Sequence, residues 1–417
     1  MLRHTRPKGT QDFIPPVSQQ KLLVENTFRD LAVIYGFQEI VTPTFEHTEL
    51  FIKSSGTGSD IVIKEMYSFQ DRSQRSLTLK PEGTPGVIRA VLENRLVLPA
   101  RLYYITPCFR YSRPQKGRYR EFYQLGIEAL GEASARTDAE LIHFGVRFFS
   151  RLNIAGLTVM VNSIGCRTCR QDYREKLLTF LRLNREALCP DCQQRIEVNP
   201  LRVLDCKNDH CQTMLQKAPV PREYLCSDCQ THFTIVINEL TARQLPYRID
   251  DHLVRGLDYY NRTTFEFVSD KLGAQNSLGG GGRYDYLIEE LGGPPTPASG
   301  LAIGLERTML AMPQLEVPTG RRQLVFVIWT SENELRTAVD LTDRLREAGI
   351  PAQLSFDSPK LKRQLHLADL ADAAFAVIVG EEELKRGVYG LKNLTTGEQI
   401  ELPAPELISR LKPLLAV

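Results

Sequence analysis

Apolar residues recur at helical spacing over residues 17–35, and the pattern ends near Gly36. Residues 37–42 read as a strand stopped at Pro43, residues 77–80 as a second strand and residues 84–95 as a helix. Arg101 to Phe109 is apolar and aromatic throughout. Arg118 to Leu130 is expected to pair back on it, making a hairpin around Arg113-Pro114-Gln115-Lys116-Gly117. Residues 137–152 read as a helix, and strands return at 157–162, 263–268 and 301–305. The run Gly279-Gly280-Gly281-Gly282 lies just after a strand-like stretch, where it serves either a close backbone approach to a ligand or a flexible turn. Many strands with few helices between them predict an α+β domain. Its mixed, mainly antiparallel sheet would be flanked by helices rather than doubly wound. The pattern changes near Pro318-Thr319-Gly320. Strands at Leu324–Trp329, Ala352–Phe356 and Phe375–Val379 then alternate with helices at 332–348, 360–372 and near 404–415, which is the mark of a separate α/β domain.

A chain of 417 residues exceeds one ordinary core, so more than one domain is expected. The boundaries read as 1–165 with 246–318 for the sheet domain, 166–245 for an insertion and 323–417 for the last domain. Lys plus Arg is 52 and Asp plus Glu is 50, so any nucleic-acid binding must come from local basic patches. The N-terminus is polar and basic without a following apolar stretch, and no apolar run is long enough to span a membrane, which predicts a cytoplasmic protein.

In a reducing compartment paired cysteines point to metal before disulfide. Eight of the nine cysteines fall between Cys166 and Cys229. Cys166/Cys169, Cys189/Cys192 and Cys226/Cys229 are knuckle-type pairs, and Cys206/Cys211 is a wider one. Two such pairs complete a tetrahedral structural zinc site, so eight cysteines allow two sites, with His210 and His232 as substitutes. The spacing does not say which pair joins which. Cys108 stands apart and reads as a core residue.

Three further stretches carry chemistry. Phe109 to Arg120 packs five cations among aromatic residues, which suits phosphate unless the loop is simply solvated. Glu82-Gly83-Thr84, with Gln124 and Glu128, offers acceptors for an ammonium group, or else a helix cap. Arg255-Gly256-Leu257-Asp258-Tyr259-Tyr260 sets a fixed cation beside two phenols, and Gly304-Leu305-Glu306-Arg307 puts an arginine in the first turn of a helix.

In order and spacing these pieces resemble the histidyl-tRNA synthetases, members of the class II aminoacyl-tRNA synthetases. Lys8 to Asp12 is similar to the family's N-terminal signature, Gly36 to Glu46 to motif 1, residues 101–128 to motif 2 and Gly300 to Arg307 to motif 3. Arg255 to Tyr260 and Gly281 to Asp285 resemble the two histidine-specific signatures. The resemblance implies ATP-dependent ligation of L-histidine to tRNA(His) through a histidyl-adenylate, with Mg²⁺, by a homodimer. It further implies that Arg255, Arg110 and Arg307 are catalytic, and that Arg110, Ser112, Arg118 and Arg307 bind ATP. Glu82, Thr84 and Gln124 would hold the ammonium group. Glu128, Tyr259, Tyr260 and Tyr284 would complete the histidine site. Gln115 and Lys116 would meet the tRNA acceptor stem, and residues 324–417 would bind the anticodon. Ser112 departs from the family's glutamate, Glu121 from its glutamine and Tyr123 from its histidine. The competing expectation is a non-catalytic regulatory paralogue of histidine biosynthesis, which typically lacks the last domain.

Overall fold

The computed structural model describes residues 4–56, 59, 61–313 and 322–414. The chain divides into two compact units, Met1–Leu315 and Glu316–Val417. The expected change of pattern at Pro318-Thr319-Gly320 lies outside the described residues.

The first unit is built on an eight-stranded sheet. Its order is Gln38–Glu39, Ala100–Phe109, Glu121–Leu130, Ala298–Gly304, Ser277–Arg283, Asn261–Ser269, Leu157–Ser163 and Tyr247–Ile249. Only the two outermost pairings are parallel. The expected mixed, mainly antiparallel sheet is therefore observed. The motif 2 hairpin runs in unbroken register from Ala100 opposite Leu130 to Phe109 opposite Glu121. Period-two alternation then sorts its residues. Leu125, Ile127 and Ala129 enter the main core, while Gln124 and Glu128 line a cavity on the other face. Gly126 shares that alternation with Gln124 and Glu128. A Cβ on it would lie 2.1 Å from the Tyr104 ring, so the glycine makes room for that ring.

Helices Val17–Ile34, Ala135–Arg151 and Ser227–Ala242 carry the main core, through Phe28, Phe144, Phe148, Phe149 and Val236. Val17–Ile34 ends as expected, with Gly36 in the left-handed region at φ 78°. Ser134 caps Ala135–Arg151 by accepting the Arg136 N–H.

Three expectations change. The strand expected over 37–42 shrinks to Gln38–Glu39, because its register partners on Ala100–Phe109 end at Leu102 and Tyr103. A separate antiparallel sheet of Phe45–His47, Ser76–Leu79 and Tyr67–Gln70 contains only one strand that the pattern showed. The glycine run is neither a turn nor the sequel to a strand, since it forms the middle of Ser277–Arg283. Cβ atoms on Gly279, Gly280, Gly281 and Gly282 would come within 2.5, 2.4, 2.0 and 2.4 Å of neighbouring backbone oxygens.

In the second unit a five-stranded sheet has the order Ala352–Leu354, Arg322–Trp329, Ala373–Val379, Val388–Asn393, Gln399–Pro403. Helices Glu332–Glu347, Leu361–Leu370 and Ala404–Leu414 flank it. The first three strands are parallel, as the strand–helix alternation predicted. The last two, which are antiparallel, were not foreseen. Among the described residues no helix is long and apolar enough to cross a membrane.

Candidate active site

A cavity of about 260 Å³ opens on the sheet face opposite the main core. Arg110, Ser112, Arg118, Arg255 and Arg307 line it together with Glu82, Thr84, Gln124, Glu128, Tyr259, Tyr260 and Tyr284. Every residue expected to meet ATP or histidine is thus in one place, although they come from six separated segments. Gln115 and Lys116 lie outside this lining, exposed at the tip of the hairpin.

One end of the cavity is acidic and phenolic. Glu128 accepts from Thr84 Oγ1 at 2.7 Å and from the Tyr284 hydroxyl. Burial pushes its carboxyl up to about 8, against the pull of those two hydrogen bonds. Glu82 accepts from Tyr259 OH at 2.8 Å and from Ser55 Oγ at 3.2 Å. Burial also holds Glu82 above the usual carboxylate range, opposed by the nearby Arg110 and by the Tyr259 and Ser55 hydrogen bonds. The rings of Tyr259, Tyr260 and Tyr284 pack mutually at 4.7–6.5 Å. Gln124 differs from expectation. Its Oε1 already accepts the Gly83 N–H at 3.0 Å and the Cys108 thiol at 3.3 Å, so the amide NH₂ remains to face a ligand. That end donates, which suits a carboxylate better than an ammonium group.

The other end is cationic. Arg110 is anchored through Nε to the Pro81 carbonyl at 2.8 Å and lies 5.3 Å from the Phe122 ring centre. Arg307, in the first turn of Leu305–Ala311, donates to the carbonyls of Gly117 and Ser277, both at 2.9 Å. Burial, followed by repulsion from Arg118, lowers its proton affinity, as expected where cations converge on an anion site. Arg255 pairs with Glu266 at 2.9 Å, yet its Nε is buried without a partner among the described residues. An orphaned guanidinium N–H beside a cavity marks where an anionic oxygen fits. Of the five cations in the motif 2 loop only Arg110 and Arg118 reach the cavity. Arg120 instead stacks 4.0 Å over Tyr111, while its backbone N–H donates to the Gly9 carbonyl at 2.7 Å.

Sequence reasoning assigned no role to two residues here. Glu306 lines the cavity and accepts the Tyr123 N–H at 3.0 and 3.1 Å, and burial raises its carboxyl to about 7. Its adjacency to Arg307 was the available signal. Arg283, next to Tyr284, is fully buried. It is held by Asp138 at 2.5 Å, by Asp285 at 3.1 Å and by the carbonyls of Glu132 and Ser134.

The eight insertion cysteines gather into two groups, Cys166/Cys169/Cys226/Cys229 and Cys189/Cys192/Cys206/Cys211, with sulfurs within 4.8 Å of one another in each. Cys166, Cys189 and Cys226 are helix N-caps, so each knuckle is the first turn of a helix. The Cys226 and Cys189 N–H groups donate to Cys169 and Cys211 sulfurs at 3.0 and 3.1 Å. Sulfur separations of 3.6 and 3.8 Å are too long for disulfides. They match the edge of about 3.8 Å that metal–sulfur bonds of about 2.3 Å give a tetrahedron. The histidines are not substitutes, since His232 Nε2 meets Asp138 at 2.8 Å and neither it nor His210 joins a group. Cys108 is a core residue as expected, its thiol pushed up to about 12 by burial.

A largely antiparallel sheet whose one face carries arginines from motifs 2 and 3 beside an acidic slot defines the catalytic unit of a class II aminoacyl-tRNA synthetase. A histidyl-tRNA synthetase family model matches residues 9–308, and an anticodon binding domain model matches residues 324–414. The chain belongs to the histidyl-tRNA synthetase family. It is 44% identical over 412 residues to the histidine--tRNA ligase of Natranaerobius thermophilus, covering 97% of this chain and 98% of that one. The ligase of Desulfitobacterium hafniense is 46% identical over 403 residues, 95% of each. The solved apo histidyl-tRNA synthetase of S. aureus superimposes with a TM-score of 0.82 at 32% identity, covering 98% of this chain and all of that one.

Proposed function

We propose that this chain activates L-histidine with ATP and transfers it to tRNA(His). The observation that carries the reading is the single cavity in which a buried carboxylate–phenol slot adjoins a ridge of anchored arginines. Glu128, Tyr260 and Tyr284 read the imidazole. A ring lacking its N–H would leave buried polar groups unpaired there, which is the strongest basis for rejecting analogues. Glu82 and Thr84 take the ammonium group, and Gln124 donates to the carboxylate. A carboxylate oxygen of histidine attacks the α-phosphorus of ATP in line, pyrophosphate leaves, and histidyl-adenylate remains. ATP enters as its Mg²⁺ complex. Arg110 and Arg307 bind its phosphates, with Arg118 at the same end, and Arg255 stabilises charge growing on the α-phosphoryl oxygens. Ser112 keeps its place in the lining but supplies no carboxylate for the adenine amino group. A hydroxyl of the tRNA 3′ end then attacks the acyl carbonyl, and AMP departs.

We further assign one Zn²⁺ to each cysteine group, where four thiolates with N–H donors to sulfur suit a structural ion. Residues 166–245 are read as a module inserted into the catalytic domain of 1–165 and 246–318, and 323–417 as the anticodon-binding domain. Unbridged thiols as metal ligands fit a cytoplasmic protein. Gln115 and Lys116 are assigned to the acceptor stem, a reading supported by their exposure at the hairpin tip. In the second unit Lys360, Lys362 and Arg363 at the start of Leu361–Leu370 are the cations assigned to tRNA. Lys385 ends the helix Glu381–Lys385 and Arg386 follows it, and the two are held by Glu381 and Glu401 respectively. The regulatory alternative is set aside, because the complete cavity and a matched anticodon-binding segment are both present. Incubation with ATP, tRNA(His) and labelled histidine is expected to give acid-precipitable label. No label above a tRNA-free control would overturn the reading.

A further inference from the structure

The loop that carries Arg255, Tyr259 and Tyr260 has no regular secondary structure of its own, yet Arg255, Gly256, Leu257, Tyr259 and Tyr260 all line the cavity. Its support comes from the cysteine-rich segment. Arg170, the residue after Cys169, donates from Nη1 to the Tyr260 carbonyl at 2.8 Å. Asn199, which ends the helix begun at the Cys189–Cys192 knuckle, is buried and donates to Asp258 at 2.7 Å. From the opposite side Gly56, at φ 78°, leaves room for the same carboxylate, since a Cβ there would lie 2.9 Å from Asp258 Oδ2. Ile164, Arg170, Asn199 and Leu201 meet Leu257, Asp258 and Tyr260 around a gap of only about 20 Å³.

We propose that Arg170 and Asn199 are positioning residues through which the cysteine-rich segment holds the loop Arg255–Tyr260 in its histidine-binding geometry. Each stands on an element that begins at a cysteine knuckle, so on the zinc assignment above each cysteine group fixes one of the two ties. Neither residue lines the cavity. Their effect is transmitted through the Tyr260 carbonyl and the Asp258 carboxylate, and it rests on the reading of this cavity as a histidine-activating site. Loosening either tie lets the phenols and Arg255 drift, whereas Arg110 and Arg307 are anchored elsewhere, to Pro81, Gly117 and Ser277. The signature is therefore a loss at histidine without an equal loss at ATP.

The test is ATP–pyrophosphate exchange by the full chain at varied histidine and varied ATP, for wild type, Arg170→Met, Arg170→Lys and Asn199→Ala, with zinc content and melting temperature measured on the same samples. Arg170→Met and Asn199→Ala are expected to raise KM for histidine at least about tenfold and KM for ATP less than about threefold, with zinc content unchanged. Arg170→Lys, which restores a donor, recovers most of the loss. Unchanged histidine KM, or losses at both substrates that track lost zinc or lowered melting, overturns the inference while leaving the activity in place. No histidine-dependent exchange by the wild type overturns the reading of the cavity itself.

Discussion

Glu128 shows how one buried side chain links chemistry to stability. Its carboxyl titrates near 8 in the folded chain against an ordinary 4.5, chiefly because burial disfavours the charge. Between those values the folded state binds more protons than the unfolded one, so its contribution to stability falls as pH rises through the window. Glu128→Gln removes that dependence. The melting temperature of the variant relative to wild type is expected to climb between about pH 5 and about pH 8.5. Parallel curves would show that this residue does not carry the shift. Histidine binding should weaken in the same variant, because an amide NH₂ replaces one of the two oxygens that accept from Thr84, Tyr284 and the ring N–H. The identities of the pocket residues were legible because each sits in a short, dense run such as Arg255 to Tyr260. The orientation of Gln124 was not, since it depends on the Gly83 N–H some forty positions away. Arg283 was passed over for a similar reason. Its partner Asp138 lies on a distant helix, and nothing local marks a buried charge pair.

At the level of elements, the cysteine knuckles do two things at once. Each N-cap cysteine ends an extended stretch and starts a helix, and its neighbour three residues on supplies the second sulfur from the first turn. The spacing displayed the knuckles. Their pairing depended on the meeting of knuckles some sixty residues apart, such as Cys166/Cys169 with Cys226/Cys229, which is long-range information. Purified protein is expected to carry about two zinc ions per chain. Cys192→Ser should reduce this to about one and lower the melting temperature, while metal-free protein of unchanged melting behaviour would contradict the assignment. The long hairpin strands were readable from ten-residue apolar patterns. Phe45–His47 and Tyr67–Gln70 were not, because three or four residues hold too few alternations to separate strand from loop. The flexible-turn reading of the glycine run failed for the opposite reason, while Gly279 and Gly280 do line the cavity. The run lacks side chains to alternate, and only the backbone oxygens packed on either side show why it is a strand.

For the molecule as a whole, the two units differ in what their architecture revealed. The strand–helix alternation of the second unit fixed its class, although two closing antiparallel strands escaped notice. The first unit's catalytic face was visible only as motifs in order, which the sheet then brings together. Val17–Ile34 and the segment after it leave Val33, Ile34 and Val41 more than half exposed, a surface consistent with the homodimer that family membership leads us to propose. Light scattering is expected to report twice the 47.3 kDa chain mass, and a monomer at micromolar concentration would count against the dimer. The central claim is that cations from separated segments stabilise the α-phosphoryl group beside a histidine slot. Its most direct test is histidine-dependent ATP–pyrophosphate exchange by wild type and Arg255→Gln. The account predicts exchange that requires histidine and a fall in kcat of about 10²- to 10³-fold in the variant. Exchange at the wild-type rate after that substitution would contradict it.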